Sequence, residues 1–186
     1  MSITGGRWEP SIGDPTLIGW ITVAVYFITA IICLKAALQS SFDKENTVRN
    51  LWLFLTVFLI ALGINKQLDL QTLLTQIGRD IAKEQGWYKD RRIIQISFII
   101  LIGLIGTVGI TFLFKTYKNA ESAIKITLSG CVILLAFILT RASSFHHMDI
   151  FIYMKFIGVG VNGLLELGSL IIIGLGGFRY LYCANA

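Results

Sequence analysis

The densest polar chemistry in this sequence is RASSFHHMD, residues 141–149. It holds both histidines of the chain, His146 and His147, with Arg141, Ser143, Ser144 and Asp149 around them. Imidazole nitrogen and carboxylate oxygen are ordinary zinc ligands, and a catalytic zinc keeps three protein ligands and a water. The candidate metal set is His146, His147, Asp149 and Asp69. Two facts weigh against it. Neighbouring residues diverge by about 100° on a helix, so adjacent histidines reach one ion only where the backbone unwinds. No HxxxH or HExxH spacing occurs. Haem is a weaker alternative, because both histidines stand in one place and a second axial ligand would have to come from a partner. Nucleophilic chemistry at Ser143 or Ser144 needs a geometry that spacing alone leaves open, so no catalytic residue is assigned. The competing reading is a hydrogen-bonded network, with Arg141 paired to Asp69 or Asp149 and the histidines on headgroups or loop carbonyls.

A second polar set is Lys155, Asn162, Glu166 and Ser169. On one continuous helix their offsets of 7, 11 and 14 residues would place them on one stripe, with Glu166 near the middle of an apolar run. An ionisable group at such a depth is costly unless it faces other helices or a cavity. Glu166 is therefore either a hydrogen-bonded packing residue or part of a proton or substrate path.

The elements that carry these groups follow from composition. The chain has 186 residues, 55% hydrophobic and only 15% charged, with a mean hydropathy of +0.73. Soluble domains carry roughly 25% charge. Five apolar runs approach the roughly 20 residues that a bilayer core requires: 17–38, 48–66, 93–114, 123–141 and 150–178. The expected fold is all-α: an integral membrane bundle of about five transmembrane helices, one domain over 17–182, behind a polar tail at 1–16. That tail holds both prolines and reads as no cleavable signal. Between the second and third runs, Leu70, Leu73, Leu74, Ile77 and Ile81 repeat at helical spacing with polar residues between them. This predicts an amphipathic helix over 67–86 lying in the membrane interface or docking a partner.

An odd number of spans brings alternate connections to one membrane face. The tail, the GINKQLDLQ corner at 63–71 and the histidine stretch then meet there. This gathers Asp14, Asn65, Lys66, Asp69, Arg141, Ser143, Ser144, His146, His147 and Asp149. If the second helix continues through its corner, Asn65 and Asp69 are i,i+4 neighbours; if the fourth does, Ser143 and His147 are too. Lysine and arginine are nearly balanced between the two faces. Glu9 and Asp14 before the first span, against Lys35, Lys44 and Arg49 after it, predict an extracytoplasmic N-terminus and histidine face. The net charge of +5 then belongs to loops that meet headgroups, and nucleic acid is excluded as a partner.

Gly103, Gly106 and Gly109, and likewise Gly158, Gly160, Gly163 and Gly168, read as small residues that let helices approach closely. Cys33, Cys131 and Cys183 lie far apart, with no paired spacing, and read as free thiols. The stretches GINKQLDLQTLLTQIGRDIAKEQGWYKDRR and RASSFHHMD, with WEPSIGDPTLIGW, resemble a group of small, largely uncharacterised bacterial multi-pass membrane proteins. That resemblance covers much of the chain and implies a plasma-membrane location without an activity. A fainter resemblance is to the ceramidase-like membrane hydrolases of the CREST superfamily. It rests on the Ser143 to His147 spacing and on QLD at 67–69. Those enzymes have seven spans, a different order of elements and a C-terminal HxxxH pair.

The functional expectation is a subunit or scaffold of a larger bacterial membrane complex, whose polar face binds a headgroup, cofactor or partner. Its partners are the lipid bilayer and another protein or a second copy. The alternatives are a metal-dependent hydrolase of a lipid or small amphiphile, and a proton-coupled carrier using Glu166.

Overall fold

The computed structural model describes residues 14–42, 46–68, 76–78, 80–81, 84, 86, 91–143, 155–156 and 159–183. Five long helices dominate: α1 (Leu17–Phe42), α2 (Asn46–Leu68), α3 (Arg91–Thr116), α4 (Ser122–Ser143) and α5 (Val161–Cys183). Four of them are long and apolar enough to cross a membrane, and α3 carries a shorter apolar stretch, Ile100–Thr116. The protein is a helical membrane bundle, as its composition requires.

Thr16 starts α1, its hydroxyl accepting the Gly19 amide at 3.0 Å. This satisfies one of the amides that every helix leaves open at its N-terminus. Within the spans, hydroxyls are satisfied locally. Thr22, Ser40, Thr56, Thr107, Thr111 and Thr127 each donate to the carbonyl four residues earlier. A hydrocarbon surrounding leaves them few other acceptors.

The closely packed pairs are α1–α2, α1–α5, α4–α5 and α3–α4. The helices thus form an arc in the order α2, α1, α5, α4, α3, with α3 at one end. Trp52, Tyr26, Leu59, Ile124, Leu128, Leu134, Leu170 and Ile173 fill the interior. Lipid is as apolar as these side chains, so close packing rather than water exclusion holds the helices together. The closest approach is between α4 and α5. Gly130 faces the Ile173 amide and Ser169 carbonyl, each 3.0 Å from where a Cβ would stand. Gly176 likewise faces the Thr127 amide at 2.8 Å and the Ala123 carbonyl at 2.9 Å. Gly103 and Gly106 pack on Leu139 and Leu135 of α4, as expected. Gly109 and Gly168 have nothing within 4 Å and are not packing residues.

One expectation about position changes, and a second is met where the structure describes it. The apolar run at 150–178 is not one helix: Lys155–Phe156 pairs antiparallel with Val159–Gly160, and α5 starts only at Val161. Gly158 and Gly160 supply the low helix propensity at this point. The interfacial segment is helical at 76–78, 80–81 and 84, and Gly86 follows with φ of 79°. That left-handed conformation suits glycine at a helix C-terminus. Ile77 and Ile81 are exposed, one turn apart; Leu70, Leu73 and Leu74 lie outside the described residues.

Candidate functional site: an ion-paired cluster at one membrane face

Chain direction alternates through the five helices. The start of α1, the ends of α2 and α4 and the start of α5 therefore share one face. At this face Lys66, in the last turn of α2, reaches across to α5. Its Nζ lies 2.8 Å from Glu166 Oε2. The Tyr26 hydroxyl of α1 donates to the other carboxylate oxygen, Oε1, at 3.1 Å. Lys66 Nζ also lies 3.7 Å from Asp14 Oδ2, just ahead of α1. Side-chain exposure falls along this series, from 33% at Asp14 to 11% at Lys66 and 4% at Glu166. The cluster leads from the membrane surface into the bundle.

Local structure explains each position. Asp14 Oδ1 accepts the Thr16 hydroxyl at 2.6 Å and the Thr16 amide at 3.3 Å, so the residue that opens α1 also holds the carboxylate. Partial burial raises the proton affinity of Asp14. The Thr16 hydrogen bonds and the nearby charges of Lys66 and Arg141 outweigh this and leave its pKa below the usual 3.8. Gly63, one turn before Lys66, lets α2 close on α1: a Cβ there would stand 3.1 Å from Tyr26 Cβ. The Ser169 hydroxyl donates to the Glu166 carbonyl at 2.7 Å and is buried.

The structure therefore joins the two sets that the sequence separates. Asp14 and Lys66 from the polar face meet Glu166 from the intramembrane set, with Arg141 close enough for its charge to act on Asp14. Lys155 is a correction: it lies in the short β-pair rather than on α5, so the cation at Glu166 is Lys66. Glu166 is corrected too. It is the sixth residue of α5 and lies near the membrane face rather than mid-span. Asn65 is half-buried in the last turns of α2, and Ser143 ends α4. Asn162 is the second residue of α5. Asp69, Ser144, His146, His147 and Asp149 lie outside the described residues, and with them the whole candidate metal set. Among the described residues no group of three His, Cys, Asp or Glu side chains is placed to hold a metal.

Two participants escaped the sequence reading. Tyr26 sits in an uninterrupted apolar run, and its only signal is that a buried tyrosine hydroxyl needs a partner. Thr16 gives the ordinary signal of a helix start. Gln67, within the QLD element and next to Lys66, has both side-chain amide atoms buried with no hydrogen bond among the described residues. Comparison with known protein families, curated proteins and solved structures gives no match.

Proposed function

We propose that this chain is a non-catalytic subunit or scaffold of a larger complex in the bacterial inner membrane, with its N-terminus and ion-paired face extracytoplasmic. The observation that carries the reading is the Lys66–Glu166 pair with Tyr26 on its second oxygen. One carboxylate ties α1, α2 and α5 together, and its charge is matched by the lysine. A matched, buried pair serves helix registry better than turnover. Among the described residues α3 packs mainly on α4, with Ile105, Val108 and Phe112 among its exposed residues. This free edge is the surface for a neighbouring protein in the membrane. Site-specific photo-crosslinkers at Val108 and Phe112 test it in native membranes. A discrete protein adduct at these positions, absent from a crosslinker at Phe54 of α2, is expected. Lipid adducts alone, together with a monomer in native mass spectrometry of mild-detergent extracts, would overturn the reading.

A second reading, a proton-coupled carrier, is favoured by the graded exposure from Asp14 through Lys66 to Glu166. Its test is proton flux in liposomes. Flux of equal size in the wild type and in Glu166→Gln removes it.

A further inference from the structure

At the opposite end of the bundle, we infer that α1 and α5 form a binding site for one anionic phospholipid. An acyl chain lies in the groove between the helices, and the phosphodiester sits against Lys35 and Arg179. The groove has a volume of about 350 Å³ and is walled by Val25, Ile28 and Ile32 of α1 and by Ile171, Leu175 and Phe178 of α5. Gly174 forms its floor, with Thr29 Oγ1 3.7 Å from where a Cβ would stand. Both walls lie inside the candidate spans Leu17–Ser40 and Gly163–Tyr182, at the depth of lipid chains.

The occupant is identified by what stands at the groove's end. The two helices run parallel, and their register is fixed at three levels. Tyr26 bonds Glu166, Ile32 lies against Gly174 and Gly177, and the Ser40 hydroxyl is 2.9 Å from that of Tyr180. Lys35 falls between the Ile32 and Ser40 levels on α1. Arg179 falls between Gly177 and Tyr180 on α5. Both are exposed, and each lies within one helical turn of the last wall residue on its helix. Tyr182, also exposed, packs against Phe178 in a tilted ring contact, centroids 4.3 Å apart, and continues that wall outward. An apolar trough ending at two cations and a phenol matches an acyl chain joined to a phosphate. A zwitterionic lipid would bring its own cation to the same place. Two lysine or arginine charges near a membrane surface correspond to a preference of roughly 30-fold for a singly anionic lipid.

The test uses the full-length protein, delipidated in detergent and titrated with phosphatidylglycerol or phosphatidylcholine of identical chains, read by native mass spectrometry. The expected result is one phosphatidylglycerol retained per chain, with a preference of roughly 30-fold. Lys35→Gln/Arg179→Gln should bring that preference to near unity, while phosphatidylcholine binding stays as in wild type. Gly174→Leu fills the groove and should lower retention of both lipids. Glycerol phosphate, which lacks chains, should not compete at equal concentration. Equal retention of the two lipids by the wild type overturns the proposal, and so does an undiminished preference in the double variant. Both substituted positions in that variant are exposed, so it remains decisive if Gly174→Leu fails to fold.

Discussion

The Lys66 ammonium serves two carboxylates unequally: a short contact to buried Glu166 and a long one to partly exposed Asp14. This sets the outcome of removing either partner. Lys66→Met leaves Glu166 inside the bundle without its cation and, among the described residues, with the Tyr26 hydroxyl as its remaining partner. Breaking such a pair costs about 3–5 kcal/mol. Glu166→Gln costs less, because Lys66 keeps Asp14 and stays nearer the surface. The double variant Lys66→Met/Glu166→Gln should be more stable than Lys66→Met alone, since no unmatched charge remains. Thermal unfolding of the three variants in one detergent measures this order; equal losses from both single variants would contradict it. Asp14 governs a separate acid effect. Its folded pKa is depressed below 3.8, so its contribution is present above pH 3.8 and is lost as pH falls through the lower folded value. A third of this side chain is exposed, and solvent screening keeps the effect small. Asp14→Asn should flatten the stability profile below about pH 4 and leave its neutral shape unchanged.

At the scale of elements, the glycines divide by what faces them. Gly176 stands against backbone atoms of α4 that have no rotamer by which to retreat. Gly176→Ala should therefore separate α4 from α5 and destabilise the protein by about 1–3 kcal/mol, the usual range for overpacking. Gly109→Ala meets nothing within 4 Å and replaces a glycine inside an exposed helix. It should be neutral or stabilising, by up to about 1 kcal/mol. Denaturation of the pair side by side checks the contrast, and a loss at Gly109 as large as that at Gly176 would refute it. Spacing alone could not make this distinction. Gly103, Gly106 and Gly109 repeat every three residues, but on a helix each step turns the position away from the neighbour that the first one meets. The same limit applies to Lys155. Its offset from Glu166 suits a continuous helix, and the register is lost once the backbone pairs at 155–160.

For the molecule as a whole, the arc has a firm part and a loose edge. Helices α1, α2 and α5 are joined by the ion pair, by Tyr26 and by contact between the Trp52 and Tyr180 rings, 5.4 Å apart. Among the described residues helix α3 packs mainly on α4. Local opening follows packing, so hydrogen–deuterium exchange in lipid nanodiscs should reach the α3 amides first and those of α2 and α5 last. Faster exchange in α2 than in α3 would refute this division. Length and apolar content are enough to make the chain a membrane bundle, because they decide what a bilayer accepts. Alternating connections also lead one to expect Asp14, Lys66 and Arg141 on one face, and the Asp14–Lys66 ion pair and the charge of Arg141 near Asp14 agree with this. That Lys66 is the partner of Glu166 emerges from the packed helices and from nothing local in the chain. The two are 100 residues apart, and their meeting depends on where α5 begins and on α2 reaching across the arc. Those are properties of helix register and side-chain reach, which the pattern along one chain does not encode locally.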